Sequence, residues 1–202
     1  RSWSAYWAAK AMDVPFVTTY HGAYSGKTKL KKRYNSVMAQ GDIVIANSNW
    51  IAEHVKTEHG APFERVVTIP RGVDLEAFDP TNVPVARVKA IREALGLADD
   101  PRKILLLPGR LTEWKGQLIA IEALAMLASD ERDKLVLVLA GDAQGRNTYV
   151  TRLEHAVVAH GLDRGVIMSE HITDMPAAYL ASDIVLAPSV RPEAFGRVAA
   201  EA

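Results

Sequence analysis

Two stretches of this 202-residue chain hold the residue types most suited to chemistry. The first is 191–201, Arg-Pro-Glu-Ala-Phe-Gly-Arg-Val-Ala-Ala-Glu. It follows a short apolar run, 183–187, that ends in Pro188-Ser189 and reads as a buried strand. From Phe195 onward the residues suit a helix, so a strand feeds a loop and the loop feeds a helix N-terminus. Unpaired backbone N–H groups with a helix dipole behind them bind anions, and the amides of Phe195, Gly196 and Arg197 are placed for that role. Gly196 would let a ligand approach the backbone closely. Glu193 and Glu201 flank the turn. A carboxylate repels an anion, so these two suit sugar hydroxyls better than phosphate. A solvated loop glutamate and a surface helix glutamate are the plainer alternative.

The second stretch is 108–116, Pro-Gly-Arg-Leu-Thr-Glu-Trp-Lys-Gly. Arg110 offers a planar fork and Lys115 a point charge. Together they would neutralise a diphosphate, and a diphosphate leaving group needs two cations when no metal serves it. A solvated loop is the alternative. Gly141-Asp142-Ala143-Gln144-Gly145 is a third glycine-bounded stretch after an apolar run, a weak signal by itself, in which Asp142 keeps a magnesium ligand open. His21 follows the β-branched and aromatic run 16–20, at the edge where α/β sheets bind ligands, although a loop histidine beside a glycine turn is the plainer reading of these residues alone.

Composition bounds the rest. Acidic and basic residues balance at 24 each, which gives no field favouring nucleic acid. With no cysteine there is no disulfide, thiolate nucleophile or cysteine zinc site. The six histidines show no metal-ligand spacing: His54 and His59, five apart, fall off a common helix face. No P-loop and no nucleophile-elbow pattern is present. No apolar run approaches the roughly 20 residues that span a bilayer. The chain starts at Arg1 and stops inside a helical pattern, so both ends read as cut.

The elements that must position these residues alternate in type. Helical patterns at 2–12, 27–38, 49–59, 85–95, 117–128, 147–160 and 175–180 separate apolar strands at 16–20, 42–46, 65–69, 104–107, 135–140, 166–168 and 183–187. Such alternation means right-handed βαβ units and parallel sheets. The strands are apolar throughout, as when helices cover both faces. The expectation is an α/β chain of two Rossmann-like units joined near 71–84, where Gly72 and Pro80 punctuate an irregular stretch. The basic run Lys27–Arg33 lies on a helix whose apolar stripe is Leu30, Tyr34, Val37 and Met38. It reads as a solvated face, or as a contact with anionic lipid headgroups or a charged acceptor.

These residues also carry a resemblance. The 108–116 stretch looks like the phosphate-binding signature of glycosyltransferase family 4, and Glu193 through Glu201 is similar to that family's E-x7-E motif. Asn47-Ser48, Ile69-Pro70-Arg71-Gly72-Val73-Asp74, Phe78 and Ala181-Ser182-Asp183 resemble it too, in the same order along the chain. The resemblance implies a GT-B fold with both Rossmann-like domains truncated. Residues 1–80 would be the C-terminal part of the acceptor-side domain, 81–102 a linker and first helix, and 103–202 the incomplete donor domain. It implies a hexosyltransferase that uses a UDP-, GDP- or ADP-sugar and a glycan or lipid-linked acceptor. Transfer would retain the anomeric configuration without metal or other cofactor, in polysaccharide or lipopolysaccharide synthesis for the cell envelope. The setting would be cytoplasmic, peripheral at the inner face of the plasma membrane. Gly109, Arg110 and Lys115 would hold the diphosphate, with Gly141 and Asp142 beside it. The amides around Phe195, Gly196 and Arg197 would cap its oxygens. Glu201 would bind the ribose, Glu193 the donor sugar, and Glu170, His171 and Ile172 would lie against the base. His21 would face the donor sugar, so that His21, Arg110, Lys115 and Glu193 form the catalytic set. The alternatives are a non-catalytic sugar-nucleotide or glycan-binding protein, or an epimerase or phosphorylase, on the same fold.

Overall fold

The computed structural model describes residues 2–24, 28–145 and 147–202. In chain order the elements are α1 (Ser2–Met12), β1 (Val17–Tyr20), α2 (Lys29–Asn35), β2 (Ile43–Ala46), α3 (Asn49–His59), β3 (Val66–Thr68), α4 (Val85–Ala94), β4 (Lys103–Pro108), α5 (Gln117–Ala125), α6 (Ser129–Arg132), β5 (Leu135–Ala140), α7 (Asn147–Ala159), β6 (Val166–Ser169), α8 (Met175–Ala181), β7 (Ile184–Val185) and α9 (Arg197–Glu201). They form two compact units. One runs to Gly72 and includes 193–196; the other comprises Val73–Pro192 and Arg197–Ala202.

In the first unit, β1, β2 and β3 pair parallel in that order. The α3 helix between β2 and β3 is set by its ends. Ser48 Oγ accepts from the Ile51 amide at 3.2 Å, and Gly60 closes the helix in the left-handed region at φ 62°. Its apolar stripe, Ile51, Ala52 and Val55, packs on Tyr20, Val44 and Ala46. Within this chain one face of the sheet stands open, with Val17, Ile43 and Val67 exposed. Topology gives the reason. Strands laid down in one direction by right-handed crossovers put both connections on the same side.

Two expectations for this unit are corrected. The basic helix is shorter than 27–38: α2 is capped by Thr28, whose Oγ1 accepts from the Lys31 amide at 3.2 Å, and it gives way to a 3-10 turn at Ser36–Ala39. Ser36 Oγ bonds back to the Arg33 carbonyl at 2.7 Å and competes with a continued helix. Lys27 lies outside the described residues. His54 and His59, expected on different faces, both lie against Tyr20, with ring centroids at 6.0 and 5.9 Å. The Tyr20 hydroxyl meets His59 Nε2 at 3.0 Å. Burial pushes the Tyr20 phenol up to about 12 and lowers the His59 imidazole.

In the second unit the parallel order is β6-β5-β4-β7. The chain moves outward from β4 to β5 to β6, then returns to the far side of β4 for β7. The same handedness rule now covers both faces. Ile121 and Leu124 of α5 and Leu153 and Val157 of α7 pack on Leu107, Leu137 and Leu139. Ala178 and Tyr179 of α8, with Ile91 of α4, pack on Leu106, Val136 and Val138. Arg87 of α4 and Asp174 of α8 form a two-pronged ion pair at 2.8 and 2.6 Å. Asp183 ties the start of β7 to β4 by accepting from the Ile104 amide at 2.9 Å and from Lys103 Nζ at 2.8 Å. The Ala181-Ser182-Asp183 motif therefore sits at the opposite end of the strands from the loops that leave β4 and β7.

Candidate functional site

Because β4 to β7 are parallel, the loops that follow them gather at one edge. Between neighbouring strands β4 and β7 the order reverses, and such a switch point opens a crevice. The 109–116 loop leaves β4 and the loop through Pro188 leaves β7, and the two are joined. The Val190 amide donates to the Trp114 carbonyl at 2.9 Å. Gly116, at φ 80°, ends the 3-10 turn Glu113–Lys115 and packs so closely on Pro188 that a Cβ would collide with its carbonyl.

Lys115 is positioned from two sides. Its ammonium lies 4.6 Å from the Trp114 ring centroid, a cation–π distance. Its stem crosses Gly109, where an added Cβ would stand 3.6 Å from Lys115 Cδ and Cε. Arg110 is exposed, but its backbone is anchored: its carbonyl accepts from Gln117 Nε2 at 3.0 Å. Gln117 is fully buried, and its Oε1 accepts from the Tyr149 hydroxyl at 3.3 Å. Burial raises the Tyr149 phenol. A buried amide satisfied at both ends fixes a loop more firmly than a solvated one. A cavity of about 700 Å³ opens here, lined by Arg110, Trp114, Thr148, Tyr149, Arg152 and Arg191. Arg152 is paired with Glu113 at 2.8 Å, whereas Arg110 and Arg191 make no ion pair among the described residues.

Each unit holds some of the remaining candidate residues. Gly141 follows β5 and packs against the Gly109 carbonyl, so only glycine fits there. Asp142 is exposed and accepts from the Gln144 amide at 2.7 Å, holding its own turn. Glu170 and His171 are exposed beyond β6, while Ile172 packs against the core and is half-buried. Arg197 opens α9, and Arg197 Nε donates to Glu201 Oε1 at 2.7 Å. Glu201 Oε2 accepts from the Tyr179 hydroxyl at 3.2 Å. Burial, then the Glu201 charge, raises the Tyr179 phenol. Glu193, Phe195 and Gly196 group with the first unit, where Ala194 packs on its core. The helix expected from Phe195 begins two residues later. Gly196 sits at φ 77°, which no right-handed helix contains, so the Phe195 and Gly196 amides belong to a loop. In the first unit His21 is exposed beyond β1, and its Nδ1 meets an Arg71 guanidinium nitrogen at 2.9 Å.

Gln117, Trp114, Tyr149, Tyr179 and Arg71 position these groups and were not singled out by residue type. Gln117 could have been found as the lone polar residue opening the apolar run Gln-Leu-Ile-Ala-Ile.

Residues 1–77 match Glycosyltransferase Family 4, and residues 88–202 match glycosyl transferases group 1. The chain is 34% identical to a D-inositol 3-phosphate glycosyltransferase of Xylanimonas cellulosilytica over 96% of its own length and 49% of that protein's. Among solved structures it is similar to Anabaena Alr3699/HepE in complex with UDP and glucose, with a TM-score of 0.85, 26% identity and coverage of 99% of this chain and 53% of that one. It is also similar to a glycosyltransferase from Rickettsia africae, with a TM-score of 0.82, 30% identity and coverage of 98% and 52%. The chain thus spans about half the length of the relatives it matches.

Proposed function

The chain belongs to the glycosyl transferases group 1 family and has the GT-B fold of its structural neighbours, and on that premise we propose that the protein transfers a sugar from a nucleoside-diphosphate sugar to a glycan or lipid-linked acceptor. The observation that carries this is the pairing of the Arg110–Lys115 loop with the Pro188–Val190 loop at the switch point of the second sheet. In this reading Arg110 and Lys115 neutralise the diphosphate, with Gly109, Gly141 and Asp142 shaping the loops around it. The amides at Phe195, Gly196 and Arg197 cap its oxygens. Glu201 takes the ribose, Glu170 to Ile172 lie against the base, Glu193 takes the donor sugar, and His21 contributes from the first unit. The departing diphosphate gathers charge as the glycosidic bond breaks. Fixed cations stabilise that charge without reorganising, which serves the role a metal would otherwise fill. Among the described residues no three His, Asp or Glu side chains are grouped to hold a metal. Retention at the anomeric carbon belongs to the same proposal.

HepE is solved with UDP and glucose, so uridine nucleotides are the first to test. UDP, with EDTA present, is expected to raise the melting temperature of the full-length protein by a few degrees, since ligand at a hundred times Kd adds about 2.7 kcal/mol. A shift that appears only when a divalent cation is added would reject metal independence. The absence of any shift with UDP, GDP or ADP would reject the donor site.

Peripheral membrane contact is a separate proposal. Among the described residues no helix is long and apolar enough to cross a membrane. The α2 helix presents Lys29, Lys31 and Arg33 beside exposed Leu30 and Tyr34, while Lys32 pairs with Glu58 at 3.2 Å. Basic groups beside apolar ones suit an anionic bilayer surface. The full-length protein should co-sediment with phosphatidylserine vesicles at low salt and release in high salt; failure to sediment at low salt would end the idea.

A further inference from the structure

Two motifs flank His21 in space without a role assigned to either: Asn47, just beyond β2, and Arg71, just beyond β3. All three lie in the first unit, at the C-terminal edge of its parallel sheet. Asn47 is 3% exposed, and its Nδ2 donates to the His21 carbonyl at 3.2 Å, holding the backbone. Arg71 holds the ring, with a guanidinium nitrogen 2.9 Å from Nδ1. A guanidinium has only donors, so in this contact Nδ1 must be the acceptor and its lone pair is committed. The one ring proton then sits on Nε2.

We propose that Arg71 is a positioning residue that fixes His21 as the Nε2–H tautomer, presenting a hydrogen-bond donor to a hydroxyl or ring oxygen of the transferred sugar. The proposal rests on the reading of His21 as a group that faces the donor sugar. It sharpens that reading, because an Nε2 that already bears a proton cannot take one from the acceptor. His21 thus orients the sugar, and the acceptor's proton must leave by another group, such as the departing diphosphate. Asn47 and Arg71 act on different ends of the same residue. Asn47 sets where the ring is rooted, and Arg71 sets which nitrogen carries hydrogen.

The test reads the tautomer directly. Long-range nitrogen–proton correlation spectra of the full-length protein, labelled at histidine and assigned with His21→Ala, should show His21 protonated at Nε2 and bare at Nδ1. Arg71→Lys, which still offers only donors, should keep that pattern and hold kcat within about threefold. Arg71→Glu offers an acceptor instead. It should move a proton onto Nδ1 and lower kcat about tenfold or more, with donor KM changed far less. A proton on Nδ1 in the unaltered protein, or a tautomer unmoved by Arg71→Glu, would overturn the proposal whatever the activity. If His21→Ala transfers at the unaltered rate, the assignment of His21 to the sugar falls, while the tautomer result stands by itself.

Discussion

Replacing Lys115 with alanine is expected to lower kcat about 10²- to 10³-fold, the usual effect of removing one preorganised group that stabilises developing charge. The loss should appear in kcat more than in donor KM. In the proposed role the ammonium would matter most when the glycosidic bond breaks and the diphosphate takes up charge, and an interaction strengthened in the transition state raises kcat. The structure gives two reasons to expect a local effect. The Lys115 stem lies over the glycine at 109 and its head over Trp114, so truncation uncovers a glycine and one ring face instead of opening the core. The loop itself is held by other bonds, from Gln117 to the Arg110 carbonyl and from Val190 to the Trp114 carbonyl. The melting temperature should therefore stay close to that of the unaltered protein. Lys115→Arg should recover only part of the rate, since a planar fork on a longer stem does not reproduce a point charge seated on the ring. Steady-state kinetics on the full-length protein with a UDP-sugar would decide it. A kcat within about threefold of normal for Lys115→Ala would remove Lys115 from the diphosphate site.

Much of the scaffold for that experiment is legible in the chain itself. Leu135–Ala140 is an unbroken apolar run and forms β5 at its expected ends. Ser48 and Gly60 bracket α3 because a hydroxyl cap and a left-handed glycine each satisfy backbone groups that the helix cannot. The errors arise where local pattern and tertiary contact disagree. The Ala128 position continues the α5 stripe, yet the helix ends at Ala125, and Ser129-Asp130-Glu131 opens a new one with acidic residues in its first turn. The last strand shrinks to Ile184–Val185, flanked by two further bonds to β4, from the Asp183 amide to the Ile104 carbonyl and from the Leu186 amide to the Leu106 carbonyl, as the chain turns toward Pro188. Coverage of a sheet is not a local property at all. Val17, Ile43 and Val67 are as apolar as buried strand residues elsewhere, and only the order β1-β2-β3 shows which face the connections miss. The site divides the same way. Arg110, Lys115, Glu193 and Glu201 stand out by charge and spacing. Gln117, Tyr179 and Arg71 act through partners 7, 22 and 50 residues away, which no spacing rule reaches.

Tyr179 leads to the second large effect. Glu201 is already held by two donors, the Tyr179 hydroxyl at 3.2 Å and Arg197 Nε at 2.7 Å, and its side chain is only 7% exposed. A carboxylate has lone pairs for further donors, so ribose hydroxyls can bond to oxygens whose orientation is fixed beforehand. Glu201→Gln exchanges a charged acceptor for a neutral amide. A hydrogen bond to a charged group contributes about 1.5–3 kcal/mol, so UDP affinity should fall roughly tenfold to a hundredfold. Inorganic pyrophosphate supplies the control, because it has no ribose. The same substitution removes the negative charge opposite the Arg197 guanidinium, so pyrophosphate affinity should hold or rise while UDP affinity drops. Tyr179→Phe leaves the charge in place and removes one orienting bond, and UDP should weaken by only a few fold. Calorimetric titration of the three proteins with both ligands separates the possibilities. A parallel loss for UDP and pyrophosphate in Glu201→Gln would mean that α9 as a whole had been disrupted, not a single bond to ribose. Unchanged UDP affinity would move the ribose elsewhere on the sheet edge.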